Sequence, residues 1–69
     1  MDFENLIHRF KYHKPKDDQI ERYTTIRDTA RVLAVLMGDS CPDSRELSLA
    51  ITKLEEAVMW ANAAIARNE

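Results

Sequence analysis

The sequence predicts an all-helical protein in which one short N-terminal helix precedes an antiparallel hairpin of two long helices. Three observations favour this fold class. Apolar residues recur at helical spacing along most of the chain, no segment alternates in the manner of a strand, and helix-breaking residues are sparse. Gly38 is the only glycine and Pro15 and Pro42 are the only prolines, so these residues divide the chain into its predicted helices.

The first predicted helix extends from Asp2 to about Phe10. Its apolar residues fall at helical spacing and are Phe3, Leu6, Ile7 and Phe10. The basic segment that follows should not continue the helix, because Pro15 disfavours helical geometry at Lys14. The sequence therefore predicts a basic loop between the first helix and the second.

The second predicted helix begins after an N-cap at Asp17 or Asp18 and extends to about Met37. Gly38 is predicted to end it, because glycine readily adopts the left-handed conformation that follows many helices. The apolar stripe of this helix is spaced by three and four residues and comprises Ile20, Tyr23, Ile26, Ala30, Leu33 and Met37.

The third predicted helix has Ser40 as its cap, Pro42 in its first turn and Asp43 at the capping-box position. It extends to about Arg67, with an apolar stripe at Leu47, Ile51, Leu54, Val58, Ala61 and Ile65. Because only a few residues connect the long helices, we expect them to pack antiparallel. This arrangement brings the end of the third helix beside the start of the second and beside the basic loop.

The chain of 69 residues has room for a single helical-hairpin domain, residues 1–69, whose own core is marginal. Cys41 is the only cysteine and the two histidines form no metal-ligand motif, so we expect neither an internal disulfide nor a cofactor. Between Ala57 and Ala66 only Asn62 is polar, and a helix that is apolar all round needs more than one partner helix. We therefore expect a symmetric homo-oligomer, with cover by the short first helix as the alternative.

The formal charge of −2 is unevenly distributed, with +2 in residues 1–16 and −4 in residues 17–69. This pattern disfavours a DNA or RNA polymer as partner but suits a small anion bound near the N-terminal segment. No apolar run approaches the roughly 20 residues of a membrane span and no signal peptide is recognisable, so we expect a cytoplasmic protein. No catalytic motif is present, and we expect a binding protein that is not an enzyme.

Two arginines differ from the other cations of the long helices. Arg22, Arg31 and Lys53 each have an acid three or four residues away, namely Asp18, Asp28 and Glu56. Arg27 and Arg67 have none, which makes them available to a planar anion such as phosphate, although a solvated role is common for a surface arginine.

The basic loop also contains an aromatic side chain. Tyr12 lies between Lys11 and His13, and aromatic residues interleaved with basic ones are typical of a surface that stacks on nucleobases and neutralises phosphates. The alternative is that Phe10 and Tyr12 cap the hydrophobic core while the lysines solvate the loop. Both readings of Tyr12 fit the sequence.

Two stretches carry a family resemblance, RFKYHKPKDDQIERYTTIRDTAR and CPDSRELSLAITKLEEAVMWANAAIAR. They resemble the phage anti-CBASS proteins that act as cyclic-nucleotide sponges, whose helical-hairpin domain is shared with the Thoeris anti-defence sponges. The resemblance implies a compact hexamer in the cytoplasm of the infected bacterial host. It also implies that cyclic dinucleotides such as 3′,3′-cGAMP bind between subunits, that cyclic trinucleotides bind at a second, threefold site, and that neither messenger is cleaved.

By position, the resemblance implies that Tyr12 stacks on a base, that Arg27 contacts the dinucleotide phosphates and that Arg67 contacts a trinucleotide phosphate. The full set of candidate ligand-binding residues is Tyr12, His13, Thr24, Arg27, Asn62 and Arg67. The main alternative function is that of a small helical adaptor or structural protein, which docks another polypeptide through the apolar part of its third helix.

Overall fold

The computed structural model describes residues 1–69 and contains three α-helices and no strand, which confirms the predicted all-helical class. Helix α1 covers Phe3–Phe10, α2 covers Gln19–Ser40 and α3 covers Arg45–Asn68. The two long helices pack against each other as an antiparallel hairpin, and α1 precedes them as a short separate helix. No helix combines the length and the hydropathy that a membrane span requires.

Local hydrogen bonds define the start of α1. The Asp2 carboxylate caps the helix by accepting hydrogen bonds from the backbone amides of Glu4 and Asn5, at 3.0 and 3.3 Å. The helix ends at Phe10, and Lys11 then adopts an extended conformation. Helix α1 therefore leads directly into the basic loop, as the sequence predicts.

The N-cap of α2 is Asp18, one of the two predicted residues, but it lacks the side-chain hydrogen bond that a cap usually makes. Its carboxylate lies 3.2 Å from the Arg22 guanidinium instead. The preceding Asp17 has a φ of 45°, in the left-handed region that aspartate tolerates better than most residues. Gln19 closes the turn, because its side-chain carbonyl accepts a hydrogen bond from the Lys16 amide at 2.9 Å.

The predicted end of α2 at Met37 is wrong. The helix continues through Gly38, which has no positive φ, and ends at Ser40. A proline sets this end, because the ring of Pro42 excludes the helical conformation from Cys41, whose φ is −115° and ψ 143°. Glycine in a helix carries only a modest cost, whereas the clash before a proline is severe, so the proline determines the boundary.

The predicted cap of α3 is also wrong. Ser40 belongs to α2 and Pro42 lies in the connection, so neither residue starts the third helix. Ser44 is the N-cap, and its hydroxyl oxygen accepts a hydrogen bond from the Leu47 amide at 3.1 Å. Asp43, predicted at the capping-box position, therefore precedes the helix.

The long helices contact each other through one stripe on each. The predicted stripe of α3 is half-buried throughout, at Leu47, Ile51, Leu54, Val58, Ala61 and Ile65. On α2 the half-buried apolar residues are Tyr23, Ile26, Ala30, Ala34 and Met37. Ile20 and Leu33, which were predicted in this stripe, are exposed. Ala34, which was not predicted, follows Ala30 by about one helical turn and is half-buried, whereas Leu33 is 43% exposed at the edge of the contact.

The hairpin has no hydrophobic core of its own, because no apolar residue is fully buried. The chain measures 45 × 31 × 13 Å, so it is about one helix diameter thick. Its radius of gyration of 15.4 Å exceeds the roughly 11 Å expected of a compact chain of this length. Helix α1 does not cover the apolar side chains of α3 that the hairpin leaves open, since Met59 and Trp60 are exposed. The apolar face of α1 itself is exposed as well, at Phe3, Ile7 and Phe10.

Candidate ligand-binding groove

An open groove of about 460 Å³ lies where the basic loop, the first half of α2 and the last turns of α3 meet. The antiparallel packing of the hairpin brings these three parts of the chain together. The groove is lined by Arg9, Lys11, Tyr12 and His13 from the end of α1 and the loop, by Tyr23 and Arg27 from α2, and by Asn62, Ala63, Ala66 and Arg67 from α3.

The groove is electropositive. Four cationic side chains line it and no acidic side chain does. None of these cations, Arg9, Lys11, Arg27 and Arg67, forms an ion pair with an acidic residue of the chain. The ion pairs predicted for the other cations, Arg22–Asp18, Arg31–Asp28 and Lys53–Glu56, are confirmed. Unpaired cations that converge on one concave surface attract an anionic ligand and can contact its phosphates.

Tyr12 is the exposed aromatic side chain of the groove. The side chain is 80% exposed and stacks on no other aromatic ring, so its face is available to a planar group. This position disfavours the alternative in which Tyr12 caps the core. The next residue, His13, is held in place by His8. Its ring makes a 3.1 Å hydrogen bond to the His8 carbonyl and lies edge-to-face against the His8 ring.

Arg67 is held at the end of α3 by two contacts with α1. The His8 ring nitrogen Nε2 makes a 2.9 Å hydrogen bond to the Arg67 carbonyl, one of the last carbonyls of α3 that lack a partner within the helix. The Arg67 guanidinium in turn donates a longer hydrogen bond of 3.5 Å to the carbonyl of Arg9. These contacts join residues almost sixty positions apart, so the role of His8 could not be read from local sequence.

Asn62 contributes a polar group to the apolar part of the groove. Its side-chain oxygen Oδ1 is buried and has no hydrogen-bond partner. A buried acceptor without a donor is unfavourable.

Five of the six candidate ligand-binding residues therefore line one groove: Tyr12, His13, Arg27, Asn62 and Arg67. Thr24 does not line this groove, and its hydroxyl donates a 3.0 Å hydrogen bond to the carbonyl of Ile20 within α2. Tyr23, which the sequence assigned to the apolar stripe, lines the groove as well. Tyr23 can both belong to the apolar stripe and line the groove, because it lies at the edge of the contact between α2 and α3.

A second polar cluster lies beside the groove, where the carboxyl end of α3 meets the start of α2. The Arg22 guanidinium donates hydrogen bonds to both carboxylate oxygens of Glu69, the Gln19 amide donates one at 3.2 Å, and the Lys16 ammonium donates to the Glu69 carbonyl at 3.1 Å. Arg22 and then Gln19 stabilise the carboxylate and lower the pKa of Glu69 to about 2, while Glu69 raises the pKa of Arg22. We call these four residues the Glu69 clamp.

No group of three or more histidine, cysteine or carboxylate residues is placed to hold a metal ion. The fold and the groove define a class of protein, a small helical hairpin with an open basic and aromatic surface at one end. A family model of the Acb2/Tad1 hairpin domain matches residues 4–66, and the chain belongs to this family. This match confirms the resemblance to the anti-CBASS sponges, and it is consistent with an anti-defence sponge role. No curated protein and no solved structure matches the chain.

Proposed function

We propose that the protein is a phage anti-defence sponge that sequesters cyclic dinucleotides, and also cyclic trinucleotides, in the cytoplasm of the infected bacterium. CBASS effectors would then remain inactive, because their activating messenger is bound. The observation that carries this proposal is the groove, in which an exposed tyrosine and four cations without acidic partners surround a half-buried asparagine. Membership of the Acb2/Tad1 hairpin family supports the same conclusion.

The groove matches the chemical groups of a cyclic dinucleotide. Tyr12 stacks on a base, and Arg27 binds phosphate oxygens through its planar guanidinium. No carboxylate, serine or cysteine side chain lines the groove. The proposed activity is retention of the intact messenger, without hydrolysis.

A second copy of the chain completes the site and the fold. A cyclic dinucleotide has two bases and two phosphates related by approximate twofold symmetry, and a twofold subunit interface would supply Tyr12 and Arg27 once from each subunit. The same association would bury the apolar side chains that a hairpin one helix thick leaves exposed. We therefore propose a symmetric homo-oligomer, and the sponge family indicates six subunits.

The two ligand classes are proposed to use different residues of the same end of the hairpin. Arg27 serves the dinucleotide, and Arg67, which lies at the end of α3 where it contacts α1, serves the trinucleotide. Arg67→Ala should then weaken trinucleotide binding while dinucleotide binding persists. Equal loss of both ligand classes in calorimetry would contradict separate sites.

The direct test is isothermal titration calorimetry with 3′,3′-cGAMP, followed by chromatography of the ligand recovered from the heat-denatured complex. We expect saturable binding and intact cyclic ligand. Linearised product would contradict the proposal that the protein is not an enzyme. Absence of binding to any cyclic di- or trinucleotide would favour the adaptor role, which predicts a complex with another polypeptide.

A further inference from the structure

The Glu69 clamp differs from the other charged contacts of the chain. The remaining ion pairs, Arg31–Asp28, Lys53–Glu56 and Arg22–Asp18, each join residues of one helix turn. The clamp joins the loop and the start of α2 to the carboxyl end of α3, across 47 to 53 positions of sequence. It is the only ion-paired cluster that connects different elements of the fold.

The clamp is also better organised than an ordinary surface ion pair. An isolated exposed pair contributes little, because solvent screens it and two flexible side chains lose entropy. Here the Arg22–Glu69 contact is bidentate, and two further donors bind the same residue. One of them, Gln19, is 4% exposed and is the only buried residue of the chain. Its amide is fixed on the other side by the Lys16 backbone.

The position of the clamp relates it to the groove. Glu69 lies two residues after Arg67, and Arg22 adjoins Tyr23, which lines the groove. The clamp therefore fixes the last turn of α3 against the start of α2, so that the Arg67 side chain points into the groove. A helix end without such contacts frays, since its last carbonyls have no partner within the helix.

The clamp also determines which cations remain available. Glu69 neutralises Arg22 and binds the Lys16 ammonium through its carbonyl, whereas Arg27 and Arg67 have no acidic partner. The Glu69 carboxylate is therefore occupied by Arg22 and Gln19, and it pairs with no cation of the groove.

We infer that Glu69 is a positioning residue for ligand binding, which acts through Arg22 and Gln19 to hold Arg67 in the groove. This inference rests on the proposed function for its ligand, and it adds a residue outside the groove to the binding mechanism. Glu69 itself does not line the groove.

The test compares variants that break the clamp from opposite sides. Glu69→Ala makes the protein more positive and Arg22→Ala makes it more negative, so general attraction of an anion would change in opposite directions. We expect both variants to weaken binding of 3′,3′,3′-cyclic tri-AMP by about fivefold or more, because residues of one network are energetically coupled. Glu56→Ala and Lys53→Ala are the matched controls, since they break the Lys53–Glu56 pair far from the groove and make the same changes in charge.

A double-mutant cycle identifies the residue through which Glu69 acts. In an Arg67→Ala background, Glu69→Ala should cause little further loss of trinucleotide affinity, because the side chain that it positions is already absent. A full additional loss would overturn the role assigned to Arg67. Tighter binding by Glu69→Ala than by Glu56→Ala would show that Glu69 competes with the ligand, and it would also overturn the inference.

A measurement without ligand tests the role of Glu69 independently of what the protein binds. Hydrogen exchange of the backbone amides of residues 64–68 should be faster in Glu69→Ala than in the parent protein, and unchanged in Glu56→Ala. Unchanged exchange in both variants would contradict the clamp whatever the protein binds. If the parent protein binds no cyclic nucleotide but Glu69→Ala accelerates exchange, the proposed function fails and the clamp still holds the end of α3.

Discussion

The two ends of the hairpin are built differently. At the groove end, formed by α1, the basic loop, the start of α2 and the last turns of α3, side chains join distant parts of the chain through His8, Arg67 and the Glu69 clamp. At the turn end, residues 36–47, the side-chain hydrogen bonds are local and involve the Ser44 hydroxyl. Specific polar contacts are thus concentrated where a ligand would bind, and the middle of the hairpin leaves apolar side chains exposed.

The polar groove end and the exposed apolar surface are suited to different functions. The polar contacts of the groove end fix the shape of the proposed binding surface. The exposed apolar residues are suited to association, because the isolated hairpin cannot bury them. Four substitutions or conditions test this division, in order of decreasing expected effect.

The largest effect is expected from a charge on the apolar surface. Trp60 is 64% exposed on the single hairpin, and Trp60→Glu would place a carboxylate in the proposed subunit interface. We expect loss of the oligomer and destabilisation by several kcal/mol, because a buried charge without a partner is strongly unfavourable. Light scattering and thermal unfolding would measure this. Glu55→Lys, on the charged surface nearby, is the control, and an unchanged oligomer in Trp60→Glu would contradict this interface.

Substitutions in the groove should affect binding without affecting assembly. Tyr12→Ala and Arg27→Ala are each expected to weaken 3′,3′-cGAMP binding by about 1–3 kcal/mol, through loss of stacking or of charge-assisted hydrogen bonds. Calorimetry and size-exclusion chromatography would report the two properties separately. Arg31→Ala is the matched control on α2, since Arg31 pairs with Asp28 outside this groove. Normal binding by both groove variants would refute the site.

The turn end offers a smaller effect of opposite sign. Gly38 lies inside α2 without a positive φ, and an added Cβ would meet no atom within 4 Å. Gly38→Ala should therefore stabilise the protein by about 0.5–1 kcal/mol in denaturant unfolding, because alanine loses less backbone entropy in a helix. Destabilisation would instead indicate the left-handed cap that the sequence pattern predicted.

The smallest effect concerns pH and the Glu69 clamp. The pKa of Glu69 is lowered from 4.5 to about 2 in the folded protein, so the clamp stabilises the fold fully above pH 4.5 and this contribution is lost as the pH falls towards 2. The free energy of unfolding of the Glu69→Gln variant should therefore depend less on pH across this range than that of the parent protein. Glu56→Gln should keep the parent dependence, and identical pH profiles for all three proteins would contradict the assigned shift.

The sequence predicted the parts of the fold that follow from periodicity. The stripe of α3 was correct at every position, and its three- and four-residue spacing matches the helical repeat. The boundary between the long helices was not, since Gly38 and Pro42 give competing signals and the strength of the proline effect decides between them. Leu33 lies at the edge of the contact face and not within it, because a local pattern does not fix how a helix is rotated about its axis.

In the candidate site, too, some residues can be recognised from their sequence neighbours, while others depend on contacts between distant parts of the chain. Tyr12, Arg27 and Arg67 could be selected from their neighbours alone, and antiparallel packing brings them to one groove. The sequence could not show that Thr24 lies outside this groove, because that depends on how the helices pack. The role of Glu69 depends on contacts that no local pattern encodes.

The most direct test of the central claim is native mass spectrometry of the purified protein with and without 3′,3′-cGAMP. We predict a homo-oligomer that gains discrete masses of intact ligand, with fewer bound ligands than subunits if each dinucleotide lies between two copies. A monomer, or an oligomer that takes up no cyclic di- or trinucleotide, would contradict the sponge and leave the helical hairpin without its proposed ligand.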